Sequence, residues 1–513
     1  MNTFPYGMDK DYVNINETKK IVSSALFGNR FKVDQTLYEY LIEFLLIFSS
    51  EKYDGENNYK FKFHKINEEN ANCLSYTFEP RMGLRRFIFF DKSKKVGNSK
   101  ADECAYNMIR QYLFDNLVDI ENKEEYVNNL QDLLHGYAVV IKKRFWGAKA
   151  LLPICPEFIV CGCDPSKHER KEVDKSFSDK IQLGRVTELE IDTKFHFDKR
   201  NFLARGGELY YLHLLQGLQD ESEKCSKLEA LLSYMLNEPC KKLSKIADHI
   251  QNIWEKGNGF KKESLKETLK ISYIPDDAYV SCEKFSIDEL INYLSCQIHP
   301  INRIDILAKG VMLQIMRMMA CQVANCLETE KRPWIVDMNG TSNKTIKKIA
   351  AESYINLEND FISALNKTAQ RIEVPSEQYV DEIKKARRDS LDIFRLKGKE
   401  MQCIVPYKGS FERFSLSEDV IRFLVLSLVP PKEKMTLKMF LSKLYKHYNM
   451  VIGPNEYKKS VKNYGELDSS LANAFNENEF AFQKFLKDTG FLRELSDATS
   501  IVVNPYSLVD IGV

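Results

Sequence analysis

Residues 415–513 constrain this 513-residue chain most, because there the apolar spacing, the caps and the stops fall in one order. Ser417 opens a helix with Val420, Ile421, Leu424 and Leu428 on one face. Pro430 and Pro431 stop it, since neither can donate a backbone hydrogen bond and the first restricts the residue before it. Thr436 is the expected N-cap of a second helix, whose Leu437, Phe440, Leu441, Leu444 and Tyr448 keep the i, i+3, i+4, i+7 spacing of an amphipathic face. Lys438, Lys443, Lys446 and His447 lie off that stripe. Gly453 and Pro454 mark a turn, and after a polar insertion the spacing of Phe482, Phe485 and Leu486 predicts a third helix over 479–489. Gly490 stands where a left-handed C-terminal cap belongs. Two short strands, 491–495 and 500–503, are expected around Ser496-Asp497-Ala498-Thr499.

Helix, helix, helix and hairpin in that order resembles the winged-helix family, over about a fifth of the chain. The resemblance implies a module that binds duplex or docks protein. Charge bears on the choice: 432–462 holds eight lysines against two acids, which favours duplex phosphates, with Lys438, Lys443, Lys446, Lys458 and Lys459 as the candidate contacts. In the third helix Glu477, Glu479 and Asp488 outnumber Lys484 and Lys487, and no arginine is present to bind guanine bidentately. The expected mode is contact with the DNA backbone regardless of sequence, or a protein interface.

The whole chain of 513 residues has room for roughly two to four domains. Hydrophobic residues at 44% and charged residues at 29% are those of a globular protein. With 74 Lys and Arg against 73 Asp and Glu, contact with nucleic acid has to come from a local patch. Residues 1–16 contain no apolar leader, and no run reaches the roughly 18 apolar residues of a spanning helix. A cytoplasmic protein with no membrane contact is therefore expected, its twelve cysteines reduced and mostly buried. The abundance of Lys, Asn and Ile resembles the coding bias of an AT-rich bacterium.

In the N-terminal part, 35–50 is apolar nearly all round, with Glu39 and Glu43 interrupting Leu37, Leu41, Phe44, Leu45 and Phe48, and reads as a buried helix. Over 59–91 the period shortens toward two, with Phe61, Phe63, Phe87 and Phe89 alternating, so short strands are expected. Arg81, Arg85, Arg86, Lys92, Lys94, Lys95 and Lys100 face a single acid, Asp91, and are interleaved with Phe87, Phe89 and Phe90. Such a patch can neutralise phosphates and stack single-stranded bases; the plainer reading is a strand with inward aromatics beside a solvated loop. Lys142, Lys143 and Arg144, followed by Phe145, Trp146 and Lys149, carry the same two readings.

Helices are expected over 102–145 and a strand over 157–163. Cys155, Cys161, Cys163 and His168 are of the types that hold zinc, but Cys161 and Cys163 would point to opposite faces of a strand and no C-x-x-C pair exists. Buried thiols without a metal or other cofactor are the expectation. Asp192-Thr193-Lys194 has the D-x-K form of metal-dependent nucleases of the PD-(D/E)xK type, in which an acidic pair, here completed by Asp164 or Glu157, holds magnesium and the lysine lies near the attacking water. The alternative is a solvated strand.

Gly206 and Gly207 predict close backbone packing at the start of a helix, with Arg205 placed either to meet an anion or to form a joint, and His213 reads as a core histidine. From 207 to 396 the pattern is mostly helical. The most apolar part, 304–327, is the expected central helix, and Lys309, Gln314 and Arg317 exclude a membrane span. The run 334–345 imitates strand, phosphate loop and helix, yet Met338 and Asn343 stand where a working loop needs glycine, leaving a turn capped by Thr341 or Ser342.

Sequence order assembles no catalytic triad, Cys-His pair or carboxylate pair. The expected fold class is mixed α/β, predominantly helical: an α+β domain over 1–200, a helical domain over 201–400 and a winged-helix-like domain over 401–513. The expected function is a non-catalytic subunit of a bacterial multi-protein DNA-processing or phage-defence complex, with duplex DNA and other protein subunits as partners. A protein-docking adaptor and a metal-dependent nuclease using Asp192 and Lys194 are the alternatives.

Overall fold

A computed structural model describes residues 3–5, 22–28, 31, 33, 35–67, 74–90, 100–139, 150–161, 163–164, 201–257, 266–276, 279, 282–338, 344–462, 467–496 and 499–511. Across them the chain is predominantly helical, with small two- and three-stranded sheets.

The strand β1 (Thr3–Phe4) and helix α1 (Val22–Phe27) precede α2 (Leu37–Ser49). A capping box starts α2: Thr36 Oγ1 accepts from the Glu39 backbone N–H, and the Thr36 N–H donates to the Glu39 carboxylate at 2.7 Å. As its composition predicts, α2 is buried nearly all round. Its acid Glu43 is accommodated by three donors, Gln35 Nε2 at 3.0 Å and the backbone N–H groups of Arg205 and Gly207 at 2.8 and 2.7 Å.

Short strands β2 (Lys52–Tyr53), β3 (Asn58–Tyr59) and β4 (Ser75–Phe78) follow; β4 falls within the stretch where strands are expected, whereas Phe61 and Phe63 belong to no strand. The stretch containing Phe87 and Phe89 is instead a helix, α3 (Met82–Phe89). All eight of its residues are buried, so both periods fit the same apolar run and length decides nothing. Helices α4 (Lys100–Asn116) and α5 (Lys123–His135) agree with expectation. The expected strand at 157–163 is replaced by one helical turn, α6 (Pro156–Ile159), with Pro156 at its first position, before β5 (Cys163–Asp164) pairs in parallel with β6 (Asn201–Phe202).

Helix α7 (Gly206–Leu218) crosses α2 so closely that a Cβ on Gly207 would lie 2.3 Å from the Tyr40 carbonyl oxygen, so the predicted role of the glycines holds. After α8 (Ser222–Asn237) and α9 (Lys241–Gly257), strand β7 (Glu267–Lys270) pairs with β4, and β8 (Ile274–Pro275) with β1, both antiparallel. Helix α10 (Glu283–Leu294) leads to α11 (Pro300–Leu327), a 28-residue helix whose apolar residues lie at the centre of the core. Among the described residues, no helix is long and apolar enough to cross a membrane. The body is completed by β9 (Trp334–Ile335), α12 (Lys344–Arg371), α13 (Ser376–Arg388), α14 (Leu391–Glu400) and the hairpin of β10 (Ile404–Val405) with β11 (Arg413–Phe414).

The C-terminal section runs α15 (Glu418–Leu428), β12 (Lys434–Thr436), α16 (Leu437–Tyr448), β13 (Met450–Val451), α17 (Pro454–Ser460), α18 (Ser469–Asp488), β14 (Leu492–Ser496) and β15 (Thr499–Val503). Thr436 caps α16 by accepting from the Met439 N–H at 3.3 Å, and Gly490 takes φ +81°, both as predicted. Three features were not expected. The hairpin gains a third strand, since β12 pairs with β15 in the antiparallel order β12-β15-β14. The short α17 intervenes, and α18 begins at Ser469 rather than at 479, because Ala474 and Phe475 pack with Ile335, Ile346, Ala350 and Val451 in a small apolar cluster.

This section is joined to the helical body. Strand β13 pairs in parallel with β9. Buried Asn478 donates to the carbonyls of Val336 and Ile452, both at 2.9 Å, and accepts from the Met338 N–H at 2.8 Å. One apolar cluster runs continuously from Phe4 to Val502.

Candidate functional site

A buried polar cluster lies where α10, α11 and α16 meet. Gln314 and Arg317, three residues apart, emerge on one face of α11, and His447 and Tyr448 close the last turn of α16. All four converge on Glu289 of α10. Its carboxylate accepts from Arg317 Nη1 at 2.6 Å, Gln314 Nε2 at 2.7 Å, His447 Nδ1 at 2.7 Å and the Tyr448 hydroxyl at 2.6 Å. Burial alone would raise the Glu289 carboxyl, but the Arg317 guanidinium and the hydrogen bonds hold it down at about 2. Arg317 also donates from Nη2 to Ser286 Oγ at 2.8 Å and lies 4.3 Å from the centre of the Tyr448 ring. The other side of Ser286 Oγ meets His213 Nε2 at 2.8 Å; burial pushes His213 down to about 3, so this core histidine is neutral.

Beside the cluster, a cavity of about 450 Å³ opens between α8, α10, α15 and α16, with Lys227, Glu289, Asn292, Ser427, Lys443 and His447 in its wall. Lys443 Nζ donates to the Leu428 carbonyl at 2.9 Å and Asn292 Nδ2 to the Ser427 carbonyl at 2.9 Å, so two side chains cap the C-terminus of α15. The His447 ring stacks on Phe285 with centroids 4.2 Å apart. Its Nε2 has no partner among the described residues and retains solvent access.

The lysines singled out in the C-terminal section divide. Lys438, Lys446 and Lys459 are exposed and Lys458 is half-buried, whereas Lys443 is turned into the cavity. Burial raises the carboxyl of Glu456, and Lys459 and Lys438 partly offset that rise. Arg85 and Arg86 are 1% and 0% exposed, their guanidinium carbons 5.2 Å from the Phe89 ring and 4.8 Å from the Trp254 ring. Neither is presented to solvent, and Arg81 is paired with Asp248 at 3.3 Å and Glu255 at 3.7 Å. Where a strand with inward aromatics was the plainer expectation, the stretch is the helix α3, which holds Arg85 and Arg86 in the core.

Cys155, Cys161 and Cys163 are buried, and burial pushes the Cys161 thiol up to about 12. Among the described residues, no three His, Cys, Asp or Glu side chains are grouped to hold a metal. Glu157 accepts from Ser244 Oγ at 2.7 Å. Lys142, Lys143, Arg144, His168, Asp192, Lys194, Lys92, Lys94, Lys95 and the loop 339–343 lie outside the described residues.

Sequence reasoning missed the Glu289 cluster. Gln314 and Arg317 inside the most apolar helix were a visible signal that a buried polar partner was needed, but nothing in their spacing points to a carboxylate on another helix. Compared with known protein families, curated proteins and solved structures, the chain matches none.

Proposed function

We propose that residues 415–511 act as a winged-helix module and that the protein is a DNA-binding subunit of a larger assembly, holding duplex through its phosphates without reading sequence. The reading rests on one observation: α15, β12, α16, α18 and the hairpin of β14 and β15 follow one another, with the short β13 and α17 inserted before α18 and β12 completing the sheet in the order β12-β15-β14. Exposed Lys438, Lys446 and Lys459 are the phosphate contacts in this reading, since cations that meet the backbone release the counterions of the duplex. The outward face of α18 carries Asn473, Asn476, Phe480 and Lys484, without the arginine fork that would select guanine.

The test is titration of the full chain against two unrelated labelled duplexes at low and moderate salt. The two affinities should agree, and each lysine replaced by alanine in a Lys438, Lys446 and Lys459 series should lower the log-log salt slope by about 0.9. Absence of binding, or a triple variant with the parental affinity and slope, sinks the reading. A protein-docking role has its own support in Phe480, which is 69% exposed on α18. It moves ahead if duplex binding fails.

A further inference from the structure

We propose that the cavity between α8, α10, α15 and α16 is a binding site for a small phosphate-bearing ligand, held by Lys227, Lys443 and Nε2 of His447. A cavity of about 450 Å³ is of the size that takes a small molecule. The class of ligand follows from which polar groups in the wall are still free. Glu289 already accepts four hydrogen bonds, one of them from Arg317, so it has little capacity for a cation. Asp288 is paired with Lys224 at 2.9 Å, which leaves Glu223, exposed at the rim, as the acid without a partner among the described residues.

The free groups are donors. Lys443 gives one N–H to the Leu428 carbonyl and keeps two, and Lys227 has no partner among the described residues. His447 gives its Nδ1–H to Glu289, which leaves Nε2 as the ring nitrogen open to the cavity, where a protonated ring donates to a phosphate oxygen. Two ammonium groups and an imidazole oriented by a buried carboxylate suit a phosphoryl group, which offers three strong acceptor oxygens. Because Lys227 belongs to α8 while Lys443 and His447 belong to α16, the ligand would bridge the helical body and the C-terminal section.

The experiment is calorimetric titration of the full chain with pyrophosphate, ATP and adenosine. Pyrophosphate and ATP should bind saturably and adenosine should not; ATP binding tighter than pyrophosphate identifies a nucleotide, and equal affinities identify phosphate alone. Lys227→Ala removes an exposed, unpartnered side chain and leaves the fold intact, and it should weaken binding about tenfold, the loss of one charge-assisted hydrogen bond. His447→Gln should do the same, with unfolding followed in parallel to separate lost contact from lost structure. The triple Lys438, Lys446 and Lys459 alanine variant should keep its pyrophosphate affinity, so the result stands apart from the duplex-binding reading. No saturable binding at millimolar pyrophosphate and ATP, unchanged affinity in Lys227→Ala, or loss of binding in the triple variant overturns the proposal.

Discussion

His447 Nδ1 lies 2.7 Å from the carboxylate of Glu289, a contact that ties the last turn of α16 to the middle of α10 across 158 residues of sequence. Arg317 reaches the same carboxylate from α11 at 2.6 Å, so one buried acid holds three helices together. The arrangement is conditional: each charge is tolerated in the core because the other is present.

Removing the acid alone should therefore be costly. Glu289→Leu leaves the Arg317 guanidinium buried without its counter-charge and is expected to lower stability by about 3–5 kcal/mol in urea unfolding. Pairing it with Arg317→Met should recover much of that loss, since an apolar replacement of the whole pair is often neutral. A single-variant loss below about 1 kcal/mol would mean that the cluster does not hold the helices together.

Asn478 makes a second joint between the C-terminal section and the body. Asn478→Leu strips partners from the buried carbonyls of Val336 and Ile452 and from the Met338 N–H, and should cost about 2–3 kcal/mol. Limited proteolysis should also cut the C-terminal section from the variant faster than from the parent. Equal cleavage rates and equal stability would show that β13 and the apolar cluster suffice without it.

Gly207→Ala would place a methyl group 2.3 Å from the Tyr40 carbonyl oxygen, and backbone on α2 cannot rotate away as a side chain can. The expected loss is about 1–3 kcal/mol, read from the midpoint of thermal or denaturant unfolding. An unchanged midpoint would mean that α2 and α7 can separate freely.

Stability should fall in mild acid partly through His213. Its pKa in the folded chain is about 3 against roughly 6.5 unfolded, so between those values the unfolded chain binds the proton and the folded chain does not. The contribution is complete above pH 6.5 and is lost progressively as pH falls toward 3, amounting to roughly 2 kcal/mol by pH 5. Replacing His213 by Gln should shrink the loss between pH 7 and 5 by about that amount. Glu43, which burial raises to about 7, acts in the opposite direction in both proteins and leaves the difference between them intact. Parallel curves for the two proteins would contradict a buried neutral His213.

What the sequence by itself determined is local. The Thr436 cap, the left-handed Gly490, the Pro430-Pro431 stop after α15 and the apolar stripe of α16 are each set by residues within a turn or two, and each is present in the fold. The central position of α11 also follows from its own composition. What only the tertiary structure decided are pairings between segments and the choices they force. The Phe87 and Phe89 stretch is a helix because every side of it is packed, and Lys434–Thr436 is a strand because β15 lies alongside. The early start of α18 depends on an apolar cluster shared with β9, β13 and α12. Glu289 stands in a sequence context like that of any acid on an amphipathic helix; its four donors come from helices distant in the chain, and hydrogen-bond partners across a core are fixed by packing, which no local pattern encodes.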